Sequence, residues 1–226
     1  WKIGRNAQDE FAHHTQAKYK AAFEAGRFKE EIVPVHVPQR KKEPILFEHD
    51  EHPRYSSLEK LASLKPAFKE NGTVTAGNAS GVNDGAAVAI VANEATVKKN
   101  NLKPRARVVS MAIAGVTPDC MGIGPVPATK KALKRAGLSV SDLGLIELNE
   151  AFASQSIACI QDLDLNPDIV NVNGGSIAIG HPLGASGTRI SATLLHEMQK
   201  RDDVKYGLAT MCVGVGQGAA VIYEKL

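Results

Sequence analysis

From Arg105 to the C-terminus, short apolar runs alternate with stretches whose apolar residues recur at helical spacing. No other feature constrains the fold as much, because strands interleaved with helices of this length form a sheet covered by helices. The spacing predicts strands over 108–116, 145–148 and 169–172, and helices over 128–136, 151–163 and 185–200. Two further strand-like runs, 206–211 and 219–223, are separated only by a Gly-rich turn and are expected to pair as an antiparallel hairpin. The fold class is therefore α/β.

The first hundred residues read differently. Phe11, Tyr19, Ala22 and Phe23 predict an amphipathic helix over 6–26 that Gly26 can end. Val33, Val35 and Val37 alternate with Pro34, His36 and Pro38, a pattern confined to sheet edges because each Pro removes a ladder donor. A short helix is expected over 57–68 with Leu58, Leu61 and Leu64 on one face. Residues 86–92 form a nearly continuous apolar run of the kind that buried strands carry, and Asn93 can cap a helix ending near Asn100. The change of texture over 72–84 is the best candidate boundary.

Composition narrows the function. With 226 residues, 43% hydrophobic and 23% charged, the chain is an ordinary globular one with room for one large domain or two smaller ones. No apolar run is long enough to span a bilayer, and no signal-peptide pattern opens the chain. Trp1 is not an initiator Met, so the natural start is expected to lie upstream. Cys120, Cys159 and Cys212 are odd in number and widely spaced, which points to a reducing, intracellular compartment, whether cytoplasmic, mitochondrial or peroxisomal. A net charge of +3 is too weak to imply nucleic acid, and Arg40-Lys41-Lys42 reads as a solvated loop. His13 and His14 are adjacent on a helix and point apart, so no metal site is expected there.

Four segments hold more Gly, Asn, His and Ser than packing requires: Thr75-Ala-Gly-Asn-Ala-Ser-Gly-Val-Asn-Asp-Gly85, Asn149-Glu-Ala-Phe152, Gly174-Gly-Ser-Ile-Ala-Ile-Gly-His-Pro-Leu-Gly-Ala-Ser-Gly187 and Cys212-Val-Gly-Val-Gly-Gln-Gly218. In α/β proteins such segments at element ends build sites. His181, between Gly180 and Pro182 and just ahead of a helix, is held by a fixed backbone with its imidazole free to face a cleft. Cys212 opens a Gly-rich turn, where neighbouring amides can lower a thiol pKa and make it a base or nucleophile. Together they supply the Cys/His chemistry of covalent acyl transfer. Asn149 can either cap the following helix or fix a donor at an oxyanion. Gly214, Gly216 and Ala219 match a dinucleotide-binding pattern, but too little chain follows for its helix and acidic residue. No cysteine-protease signature surrounds any Cys.

The four segments, in this order, resemble the signature blocks of thiolases, and Gln8-Asp-Glu-Phe11, Gly26-Arg-Phe-Lys-Glu-Glu-Ile-Val-Pro34 and Leu64-Lys-Pro-Ala-Phe68 extend the resemblance over essentially the whole chain. The resemblance implies the layered thiolase fold (α-β-α-β-α), with 1–82 the remainder of a CoA-binding loop domain, 83–103 the last elements of the N-terminal domain and 104–226 the C-terminal domain. It implies a reversible Claisen condensation of acetyl-CoA with acyl-CoA, or thiolysis of 3-ketoacyl-CoA, through a cysteine acyl-enzyme. His181 would activate the nucleophilic cysteine and donate to the thioester oxygen, Asn149 would order a water in that oxyanion hole, Cys212 would move the α-proton, and the Gly214 amide would serve a second oxyanion hole. Ser80 and Ala76 would touch the pantetheine arm, Arg54 and Phe68 lie toward the nucleotide end, and Met121 and Phe152 line the acyl pocket. CoA thioesters would be substrates, with no covalently bound cofactor and no metal, and the partners would be acyl-CoA, CoA and further copies in a homodimer or homotetramer.

Thiolases carry their nucleophilic cysteine in an N-terminal region that this sequence does not match, so the chain alone is expected to be inactive. Two other classes are consistent with the same residues. They are a non-catalytic thiolase-like CoA-binding protein and a structural subunit that completes a separate nucleophile-bearing chain. Val215, where many relatives have Gly, is a small departure that puts little of the resemblance in doubt.

Overall fold

A computed structural model describes residues 1–226. The N-terminal helix α1 (Arg5–Glu24) is followed, as its sequence predicts, by Gly26 in the left-handed region (φ +69). Its buried face, Ala12, Tyr19 and Ala22, packs on Leu61, Phe28, Ile177 and Ala178. The valine-proline alternation becomes β1 (Val35–Gln39), paired antiparallel with an unanticipated β2 (Lys42–Phe47) in an isolated two-stranded ribbon. The register slips between Val37 and Gln39, at Pro38, which has no N–H to give the ladder. Helix α2 (Leu58–Ala62) is shorter than the expected 57–68. Pro66 explains the early stop, since it disfavours helical backbone at the residue before it and cannot donate within a helix. Helix α3 (Glu94–Lys99) is capped as expected, with Asn93 Oδ1 accepting from the Thr96 amide at 2.9 Å.

The apolar run over 86–92 forms no strand, contrary to expectation. Val88, Ile90 and Val91 are 84–88% exposed. A continuous apolar run becomes a buried strand only when other strands flank it, and no strand of this chain pairs with it.

The second half is one sheet between two helix layers. Strands β3 (Ala106–Gly115), β4 (Leu143–Leu148), β5 (Tyr206–Val213) and β6 (Gln217–Lys225) lie in the order β3-β6-β5-β4. β4 and β5 are parallel, whereas β5–β6 is the expected hairpin and β3–β6 is also antiparallel. One face packs Ile146, Leu148, Leu208 and Ile222 against α4 (Pro125–Ala136) and α5 (Ala153–Leu163). The other packs Leu145 and Ala209 against Ile190, Leu194 and Met198 of a long helix, numbered α7 below. The remaining helix, α6 (Ser176–Ile179), is one turn that leads into α7 (Ser186–Gln199). No helix is long and apolar enough to cross a membrane.

The expected strand over 169–172 is absent. Its place is taken by a 3₁₀ turn, Pro167–Ile169, and a single parallel bridge from Ile146 to Val170. Asn171 ends the pairing: its Oδ1 accepts from the Leu148 amide at 2.9 Å and its Nδ2 donates to the Leu148 carbonyl at 2.8 Å. A side chain thus occupies the edge of β4 that a fifth strand would use.

Candidate active site

His181 is fixed from three directions. Gly180 precedes it at φ +107, and a side chain there would meet Asn83 Oδ1 at 2.6 Å, so only Gly fits. That same oxygen accepts the His181 backbone N–H at 3.0 Å. The ring is fixed by Ser186, the first residue of α7, whose hydroxyl donates to the Pro182 carbonyl at 3.0 Å. With its one proton committed, Ser186 Oγ accepts from the imidazole, and Nδ1 lies 2.6 Å away. Nδ1 therefore carries the proton and Nε2 does not. Nε2 faces Asn149 Nδ2 at 3.3 Å, a donor that matches its lone pair. Burial, followed by the charge of Arg189, holds the imidazole below the usual histidine range. Near neutral pH it is an uncharged base with Nε2 available.

Asn149 closes the end of β4, and its backbone N–H donates to the Thr210 carbonyl of β5 at 3.0 Å. It does not cap α5, which corrects one of its two expected roles. The amides there are served by Gln155 Oε1, which accepts from Ala151 N at 3.2 Å, and by the Asn78 carbonyl, which accepts from Ala153 N at 2.9 Å. The Asn149 side chain turns instead to His181 and to Ser176, whose hydroxyl donates to Asn149 Oδ1 at 2.6 Å. Its neighbour Glu150, fully buried, accepts from Thr15, Asn171 and the Ile177 amide and so ties α1, β4 and α6 together behind the site.

Cys212 lies on β5, two residues beyond the Thr210 carbonyl that holds Asn149 and opposite Gly218 of β6. The expectation of a lowered thiol pKa is overturned: Cys212 is 4% exposed, and burial pushes it up to about 11. At neutral pH it is a thiol and can give a proton. Cys159 is pushed further, to about 12, by the same cause, while Cys120 is exposed. After Cys212 the chain turns through Gly214, Val215 and Gly216. The Gly214 amide has no acceptor within the chain and is free to donate. Val215 takes φ +66, a left-handed conformation that costs a β-branched residue about 1–2 kcal/mol. Gly216 at φ +86 backs directly onto the Val116 carbonyl, where no side chain fits.

The remaining residues fall into two groups. Arg54 and Ala76 line one cavity of about 230 Å³ between α1, α2 and α6. Met121 and Phe152 line another of about 390 Å³, together with the exposed Cys120. Phe68 packs edge-on against Phe152 with ring centroids 5.9 Å apart. Ser80 is bound at both ends, its amide and hydroxyl donating to the Ala151 carbonyl at 3.0 and 3.1 Å. His13 and His14 stand edge to face, and His13 Nδ1 lies 2.9 Å from the Ser56 carbonyl. No group of three or more His, Cys, Asp or Glu could hold a metal ion.

Residues 102–225 match the family model described as the C-terminal domain of thiolase, and residues 1–95 match the N-terminal domain model. The chain belongs to the thiolase family. It is 54% identical over 223 residues to the acetyl-CoA acetyltransferase of Allochromatium vinosum, covering 98% of this chain and 56% of that protein. To that of Syntrophomonas wolfei it is 55% identical over 226 residues, covering 99% and 57%. The solved acetyl-CoA acetyltransferase of Bacillus anthracis superposes with a TM-score of 0.96 at 46% identity, over 100% of this chain and 57% of that one. A human mitochondrial 3-ketoacyl-CoA thiolase in complex with CoA gives 0.90 at 46% identity, over 100% and 56%. The fold is thus the thiolase fold, and the chain spans 56–57% of the length of these curated relatives.

Four residues that hold His181 and Asn149 were not singled out in the sequence: Asn83, Ser176, Ser186 and Arg189. The first three sit inside the Gly/Asn/Ser-rich segments, so density located them without assigning roles. Arg189, inside α7, carried no signal beyond its charge.

Proposed function

We propose that this thiolase chain supplies the acid/base half of a site for reversible Claisen condensation of acetyl-CoA with acyl-CoA, and for thiolysis of 3-ketoacyl-CoA. The observation that carries it is the Ser186–His181–Asn149 chain, which leaves an unprotonated Nε2 beside an amide donor. In thiolysis a cysteine outside this chain gives its proton to His181 Nε2 and attacks the 3-keto carbonyl. The carbon-carbon bond breaks, its electron pair passes into the thioester enolate, and the Cys212 thiol delivers a proton to the α-carbon. CoA thiol then attacks the acyl-enzyme. The raised pKa of Cys212 suits this direction, because the thiol begins protonated.

The free Gly214 amide supports its assignment to the oxyanion hole beside the nucleophile, and Asn149 would order a water in the hole that His181 serves. Met121 and Phe152 would line the acyl pocket. Ala76 and Ser80 would touch the pantetheine arm and Arg54 and Phe68 lie toward the nucleotide end, with Ala76 and Arg54 lining one cavity. Residues 1–82 would complete the loop domain, 83–103 end the N-terminal domain and 104–226 form the C-terminal one. A homodimer or homotetramer inside a reducing compartment completes the proposal.

The experiment is thiolysis of acetoacetyl-CoA by the 226-residue chain, alone and mixed with a thiolase N-terminal half that carries the nucleophile. Turnover is expected only in the mixture. Robust turnover by the chain alone would contradict the external nucleophile and direct attention to Cys120, the exposed thiol of the acyl-pocket cavity.

A further inference from the structure

Behind Asn149 runs a chain of hydrogen bonds whose direction is fixed by chemistry. Arg189 Nη2 lies 2.7 Å from Ser176 Oγ, and a guanidinium only donates, so the serine oxygen accepts. The serine proton is left for its other neighbour, the Asn149 side chain at 2.6 Å, and the atom that receives it must be the amide oxygen. The amide nitrogen is then the atom that faces His181 Nε2 at 3.3 Å. Ser176 is completely buried, and the carboxyl of Glu147 approaches Arg189 Nη1 at 3.6 Å, too far for a hydrogen bond.

We propose that Ser176 and Arg189 are positioning residues: they fix the Asn149 amide so that its nitrogen, not its oxygen, meets His181 Nε2. A carboxamide can turn over at almost no steric cost, and its two ends have opposite effects on an imidazole. The nitrogen donates to the neutral ring, whereas the oxygen would accept from a protonated Nε2 and favour the cation. Orientation of one amide therefore decides whether Nε2 remains a free base. The charged and titratable groups around this chain are Arg189 from α7, Glu147 and Glu150 from β4 and its end, and Glu31 and Asp50, whose carboxyls feel the charge of Arg189. His52 reaches the backbone partner of His181 through Asn83, 3.3 Å from it.

Because this rests on reading His181 and Asn149 as part of the reacting site, its test is independent of turnover. The midpoint of the His181 titration is followed by NMR in the 226-residue chain with Ser176→Ala, which keeps every charge and removes the middle link. The midpoint is expected to rise by about one pH unit, a tenfold gain in proton affinity, as the amide turns its oxygen to the ring. Arg189→Lys, which keeps the charge but loses the fork, should shift it in the same sense by less, and decides the matter if Ser176→Ala does not fold. A merely structural role would lower stability and leave the midpoint where it is; an unmoved midpoint in a folded variant overturns the proposal. Thiolysis in the mixed enzyme with an unmoved midpoint removes this inference alone. A moved midpoint without thiolysis removes the proposed activity and leaves the inference standing.

Discussion

His181→Ala in the mixed enzyme is expected to lower the rate of acetoacetyl-CoA thiolysis by about 10²–10⁴-fold, the usual contribution of a positioned acid or base. The loss should appear in kcat, because in the proposed chemistry the imidazole acts on the proton of the attacking thiol and on the developing oxyanion rather than on ground-state CoA binding. The wild-type profile should also fall on the acid side only below the ordinary histidine range, since burial and Arg189 hold His181 low. Steady-state rates from acidic to neutral pH check both points. An unchanged kcat in His181→Ala would remove the imidazole from the chemistry.

Stability should depend on pH through Glu147. It is 3% exposed, and burial pushes its carboxyl up to about 8, with Arg189 pulling down and Glu31, Glu150 and Glu197 pushing up. A folded-state pKa above the unfolded one means that the native state holds the extra proton. Its contribution is complete below the unfolded carboxylate range and is lost as pH rises toward 8. The span corresponds to an order of magnitude of about 5 kcal/mol. Glu147→Gln, which cannot lose a proton, should therefore gain on the wild type by roughly that amount between acidic pH and pH 8, read as the difference between their urea midpoints multiplied by m. The comparison must be a difference, because His181, His52 and His196, all held low, destabilise the native state on the acid side in both proteins. Half-buried Glu31, raised to about 7, leaves a residual slope in the variant. A stability difference that does not vary with pH would mean that Glu147 titrates alike in the native and unfolded states.

Much of this was legible in the residues because it depends on local rules. Asn93 caps a helix, Gly26 ends one and Pro38 interrupts a ladder through covalent properties of their own. The β5–β6 hairpin followed from two apolar runs and a Gly-rich turn. What failed depended on distant partners. Residues 86–92 have the pattern of a buried strand but no neighbour in this chain, and 169–172 lost its pairing to the side chain of Asn171. For the candidate site, residue density singled out His181, Asn149 and Cys212, of which the first two are in hydrogen-bond contact. Direction was beyond it: neither the thiol shift from burial nor the donor order from Arg189 to Asn149 can be read without geometry. Val215 shows the same limit, because its cost arises from a φ that the turn imposes.

The division of labour between His181 and Cys212 is tested most directly by exchange of the acetyl-CoA α-protons in deuterated water, catalysed by the mixed enzyme with Cys212→Ser. A serine hydroxyl is far less acidic than a thiol, so exchange should nearly vanish while transfer of acetyl to the nucleophile continues. Exchange at the wild-type rate would show that some other group moves the α-proton.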